Sequence, residues 1–148
     1  MKELTFQVRF QELRANGDDF DTVKETDTQF DFMLNRNAED EEQVFVGVSA
    51  FTKWTFTSNS SAIMQCVCGA FPKAFLITDM SFDEYITVVE AAIGQINLDL
   101  PSYLSETSLP NTLQLENLNQ VKYRDKMKDL YEKFKNSSPD TPISTYEN

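Results

Sequence analysis

Apolar and polar positions alternate most regularly over residues 43–71. Along Gln43–Thr57, the residues Val44, Val46, Val48, Ala50, Trp54 and Phe56 share one parity, interrupted only by the hydroxyl of Thr52. Side chains alternate faces along a strand, so this parity is one continuous apolar face. The other parity, Phe45, Gly47, Ser49, Phe51, Lys53 and Thr55, is mixed. A polar turn, Ser58-Asn59-Ser60-Ser61, leads into a second alternating run, Ala62–Phe71. A strand of about 15 residues is long for a globular protein. A hairpin of this length must bury one face and protect its edges from other chains.

The same alternation predicts two earlier strands. Over 3–14, Leu4, Phe6, Val8 and Phe10 alternate with Thr5, Gln7, Arg9 and Gln11, and Asn16-Gly17-Asp18-Asp19 breaks the pattern. Over 28–36, Phe30, Phe32 and Leu34 share a face. After Pro72, which ends a strand or marks an edge, the period changes. Ser81-Phe82-Asp83-Glu84 has capping-box spacing, and Phe82, Tyr85, Ile86, Val89 and Ile93 follow at helical spacing. Gly94 reads as the C-terminal stop of that helix. Residues 95–110 read as an extended connector and 111–117 as a short helix. A longer helix is expected over 118–136, with Tyr123, Met127, Leu130, Tyr131 and Phe134 on one stripe. The expected fold is α+β: one domain over residues 1–136, a four-stranded antiparallel meander with two main helices on one face. Residues 137–148 are expected to be a flexible acidic tail.

Composition narrows the chemistry. The net charge of −11 disfavours nucleic acid, which needs clustered Lys and Arg, and suits basic or apolar polypeptides. The chain has no histidine, which removes the commonest general base and metal ligand. Its four glycines build no phosphate loop. Carboxylates cluster in Asp18-Asp19-Asp21 and Glu39-Asp40-Glu41-Glu42, in turns with no apolar pocket to raise a pKa. Cys66 and Cys68 point to one face of a strand, too close in sequence to close a disulfide loop easily, and read as small reduced apolar residues. Residues 1–15 lack the pattern of a signal peptide, and no apolar run approaches the roughly 20 residues of a membrane helix. A cytoplasmic protein with no catalytic residue, metal or cofactor is expected.

Binding remains. Core packing accounts for most individual aromatics, but the sheet has apolar residues on both faces: Phe45, Phe51, Ile63, Val67 and Phe71 fall on the parity opposite the main apolar face. A sheet covered by helices on one side would still present them to a second subunit or a client.

The order of these elements resembles the SecB family of export chaperones and its SecB-like relatives, including those of toxin–antitoxin modules. The likeness lies in several features: the acidic turn Glu39–Glu42 before Val44-Phe45-Val46-Gly47-Val48; the strand Ala62–Phe71, with its cysteines and a Gly before an aromatic; and a crossover, a helix, a Leu- and Pro-containing connector and a last helix. Phe82-Asp83-Glu84-Tyr85 stands where the family has an apolar-Pro-Tyr-Ala-Arg-like helix start. The resemblance implies an ATP-independent holdase that binds unfolded client protein, for protein transport or for an antitoxin. It implies a homotetramer built as a dimer of dimers. It implies a peptide-binding groove with Phe45, Phe71, Phe75, Leu76 and Ile77, a subunit interface along Ile63, Gln65, Val67 and Gly69, and an acidic partner patch at Glu39, Asp40, Glu41 and Glu42. A different class of reading is an acidic interaction or inhibitor protein of a mobile element, acting as a decoy for a basic partner. It would need a carboxylate-dense face and a closed core. A small enzyme using carboxylates alone has the least support.

Overall fold

The computed structural model describes residues 4–36, 44–72 and 80–136. Strands β1 (Leu4–Asn16), β2 (Val23–Arg36), β3 (Val44–Phe56) and β4 (Ser61–Pro72) precede helices α1 (Phe82–Leu104) and α2 (Gln120–Lys135). The strands form one antiparallel sheet in the order β1-β4-β3-β2. Strands β2, β3 and β4 run as consecutive hairpins, and β1 returns to lie beside β4. The expected α+β architecture, a four-stranded antiparallel sheet with two helices, is therefore the one adopted; its meander runs through β2, β3 and β4, while β1 pairs with β4 and not with β2. The tight β3–β4 turn uses Asn59 at φ 70°, a left-handed conformation that Asn tolerates better than most residues.

One sheet face meets the helices. It carries Phe30, Phe32 and Leu34 of β2, the even-numbered apolar residues of β3, and Met64, Cys66, Cys68 and Ala70 of β4, all buried. Thr52, the one polar position on that β3 face, is satisfied at 3.1 Å by the hydroxyl of Thr28 on β2. Against this face α1 buries Tyr85, Ile86, Val89, Ile93, Ile96, Leu100 and Leu104. The capping box at Ser81 and Glu84 forms as expected, with both hydrogen bonds at 3.1 Å.

Gly94 does not stop the helix. A Cβ there would meet nothing within 4 Å, so the residue lies on the solvent side of a continuing helix. Gly in a helix interior costs about 1 kcal/mol relative to Ala, whereas burying one Leu or Ile side chain contributes roughly 1.5–3 kcal/mol. Ile96, Leu100 and Leu104 continue the buried stripe, so burial wins. Pro101 lies inside the helix and forgoes its own amide bond to the preceding turn. The helix runs on past it, Ser105 N–H donating to the Pro101 carbonyl at 3.0 Å, because Leu100 and Leu104 on either side are buried.

The expected short helix over 111–117 is also absent. That segment is an extended strap whose Leu113 and Leu115 are buried on alternate positions. Its backbone is satisfied by the sheet and α1 rather than by itself. Leu115 N–H donates to Asn97 Oδ1 at 2.9 Å, and the indole of Trp54 donates to the Gln114 carbonyl at 3.0 Å. At the β2 edge, the Thr28 amide donates to Glu116 Oε1 at 2.7 Å, while Glu116 N–H donates to Thr28 Oγ1 at 3.1 Å. One step along, the Phe30 amide donates to the Tyr123 hydroxyl of α2 at 3.1 Å. Side chains thus cap outward amides of one edge strand, a standard defence against edge-to-edge pairing. Glu116→Ala removes a charge-assisted cap and is expected to cost about 1–2 kcal/mol in chemical denaturation. An unchanged midpoint would show that water replaces the carboxylate without loss.

Candidate polypeptide-binding face

Among the described residues the opposite sheet face carries no helix, and its rows follow from the strand register. Gly47 pairs with Gly69, Ser49 with Val67, Phe51 with Gln65 and Lys53 with Ile63 across β3 and β4. On the flanks, Arg9 of β1 lies opposite Val67, and Asp31 of β2 lies opposite Ser49.

The two facing glycines leave a trough between β3 and β4, and the Phe45 ring fills it. A Cβ on Gly69 would come within 2.6 Å of that ring, and one on Gly47 within 2.9 Å. Aromatic cover over strand glycines replaces the packing that their missing side chains forgo. The Phe71 ring leans on Phe45, with centroids 5.3 Å apart and planes tilted by 56°. Val67 and Ile63 extend the patch along β4, and Phe51, 36% exposed, borders it on β3. Gln65 Nε2 donates to Ser49 Oγ at 3.2 Å, so the polar groups in the middle satisfy each other. Charged residues of this face fall on the margin: Arg9 and Arg14 on β1, Lys53 toward the hairpin end of β3, and Glu25, Asp27 and Asp31 on β2. Lys126 of α2 reaches Asp31 at 3.2 Å.

The fold therefore brings Phe45 and Phe71 together with Ile63, Gln65 and Val67. Two residue sets that the sequence assigned to separate roles form one patch. Gly69 presents no surface of its own, because the Phe45 ring covers it. β4 is an inner strand, so its residues can meet another chain only through the face and never through an edge. Phe75, Leu76 and Ile77 lie outside the described residues, as do Glu39, Asp40, Glu41 and Glu42 and the tail over 137–148. Periodicity did not reveal the capped β2 edge or the strap. The only local signal was the alternation of Leu113 and Leu115.

Cys66 and Cys68 face the helices as free, buried thiols. Burial pushes each thiol up to about 12, and Asp99 adds to the effect at Cys68. Both therefore stay protonated at neutral pH and pack as small apolar side chains. In the native protein, iodoacetamide is expected to leave both unmodified, with labelling appearing only in denaturant. Rapid labelling of the native protein would place them nearer the surface.

No protein-family model matches the sequence, and no curated protein matches it. Among solved structures the chain is similar to the SecB-like chaperone of Mycobacterium tuberculosis in complex with a ChAD peptide from an antitoxin. The identity is 15%, the match covers 77% of this chain and 90% of that chain, and the TM-score is 0.47.

Proposed function

We propose that the chain is an ATP-independent holdase of SecB-like design, which holds extended apolar segments of non-native polypeptide on the helix-free face of its sheet. The supporting observation is that Phe45, Phe71, Val67, Ile63 and Phe51 share this face, with the Phe45 and Phe71 rings in contact, the mutually satisfied Gln65 and Ser49 between them, and Arg9, Arg14 and Lys53 beside Val67 and Ile63. Protein interfaces likewise combine aromatic contacts with satisfied polar groups. Burial of apolar client surface at about 25 cal/mol per Å² supplies the affinity and requires no sequence code. A single dedicated client, such as an antitoxin or a preprotein, would fit the same patch.

The acidic-decoy reading fits this face less well. Among the described residues, three carboxylates on this face (Glu25, Asp27, Asp31) stand against three cations (Arg9, Arg14, Lys53), so this part of the chain offers no carboxylate-dense surface there.

Self-association is part of the proposal. Among the described residues no strand pairs with the outer edge of β1, in contrast to the capped amides of β2. A second copy pairing there would remove the exposed edge.

The direct test is light scattering of a chemically denatured client diluted into buffer with the purified protein and no nucleotide. Suppressed aggregation at near-stoichiometric amounts is expected; scattering equal to that with an inert protein would overturn the proposal. Native mass spectrometry checks the assembly: a species near four times 17.0 kDa is expected, and a clean monomer would remove the self-association.

A further inference from the structure

Helix α2 is basic in an acidic protein. Six basic residues less three acidic ones leave it at +3, in a chain of −11. Some of its cations are matched: Lys126 pairs with Asp31 at 3.2 Å and Lys133 with Asp129 at 3.6 Å. Arg124, Lys128 and Lys135 fall with Tyr131 on a different stripe, at positions i, i+4, i+11 and i+7. This stripe lies against the start of α1. Arg124 Cζ is 5.3 Å and Lys128 Nζ 4.7 Å from the centroid of the same ring, Phe82. The Tyr131 ring stands 5.5 Å from Phe82 and carries Lys135 at 5.7 Å. The Tyr131 hydroxyl donates to the Met80 carbonyl at 2.7 Å, which fixes the ring to the backbone entering α1.

Among the described residues no carboxylate forms an ion pair with Arg124 or Lys128. Of the two acids on the adjoining first turn of α1, Glu84 is engaged in its own capping box and Asp83 forms no ion pair with a described residue. Two like charges are therefore drawn onto one ring. Each cation–π contact at an exposed site contributes about 0.5–1 kcal/mol and neutralises neither charge. A carboxylate seated between them would relieve their repulsion and meet an Arg fork suited to it.

We propose that this aromatic-floored basic stripe, Arg124, Lys128 and Lys135 over Phe82 and Tyr131, binds a short acidic segment of a partner polypeptide. The site is separate from the helix-free sheet face and does not depend on its role. The occupant is short because the positive region is short. A nucleic acid strand or an anionic membrane would extend past the stripe and meet residues 1–117, whose seven basic and nineteen acidic residues leave −12. A peptide of alternating Glu and apolar residues matches the cations through its carboxylates and the part-exposed Tyr131 ring through its apolar side chains, Phe82 itself being buried beneath Arg124 and Lys128.

The test uses fluorescence anisotropy with a short labelled peptide alternating Glu and Phe, a Lys-for-Glu counterpart, and a single-stranded DNA oligonucleotide as competitor. The intact protein is expected to bind the acidic peptide at low salt and to lose it as salt rises. The Arg124→Glu/Lys128→Glu protein is expected to bind at least about tenfold more weakly, and Arg124→Gln/Lys128→Gln to fall between. Both side chains are exposed, so both variants retain the fold, which far-UV circular dichroism checks. Unchanged affinity in the charge-reversed protein would overturn the proposal. So would equal binding of the Lys peptide, or ready displacement by the oligonucleotide.

Discussion

Val67→Asp combined with Phe71→Asp is expected to abolish suppression of client aggregation and leave the melting transition nearly in place. Both side chains sit on the helix-free face, part-buried, and neither reaches the buried interface between sheet and helices. The substitutions therefore place charge where water remains, so the cost to the fold is small. The cost to binding is large. Fully burying an exposed apolar side chain contributes roughly 1.5–3 kcal/mol; these two start part-buried, so losing both removes about 1.5–3 kcal/mol. At 1.4 kcal/mol per tenfold, client affinity falls by at least about tenfold from this alone. Desolvating two carboxylates beneath a client adds to the loss. The measurement is light scattering at equal concentrations of variant and parent, with circular dichroism as the control for folding. Full protection by the folded double variant would move the client site off this face.

Leu100→Ala is expected to be among the most destabilising single changes outside the strands, at about 2–5 kcal/mol by denaturant unfolding. Leu100 is fully buried in the stretch of α1 beyond Gly94. A companion change has the opposite sign. Gly94→Ala is expected to stabilise by up to about 1 kcal/mol, because the new methyl group enters open space and the residue is helical. The pair tests the continuity of α1. If the helix ended at Gly94, the glycine would be needed as a cap and its replacement would destabilise, while Leu100 would lie on an exposed connector and tolerate truncation.

The strands were legible because each has one face against a core and one that is not. That contrast writes a period of two directly into residues such as Val44, Val46 and Val48. The start of α1 was equally local, since Ser81 and Glu84 complete their capping box within four residues. The end of α1 was not. Gly94 and Pro101 both look like terminators to a local reading, and only the sheet lying beneath Ile96, Leu100 and Leu104 makes continuing the helix worthwhile. The strap over 111–117 misled for the same reason. A segment folds into a helix when it must satisfy its own backbone, and this one finds partners in Asn97, Thr28 and Trp54, each distant in sequence.

The candidate site divides in a similar way. Alternation alone determined that Phe45, Phe51, Ile63, Val67 and Phe71 oppose the main apolar face, because parity along a strand is a local property. Composition alone determined the acidic balance and the absence of histidine chemistry. The tertiary structure decided which of those residues touch. Cross-strand register set Gly47 opposite Gly69 and let the Phe45 ring lie over both. Strand order made β4 an inner strand and, among the described residues, left the outer edge of β1 without a partner strand. Packing of α2 beside α1 drew Arg124 and Lys128 onto one ring. These contacts join residues far apart in the chain, and their energy depends on distance in space, which no periodicity along the sequence encodes.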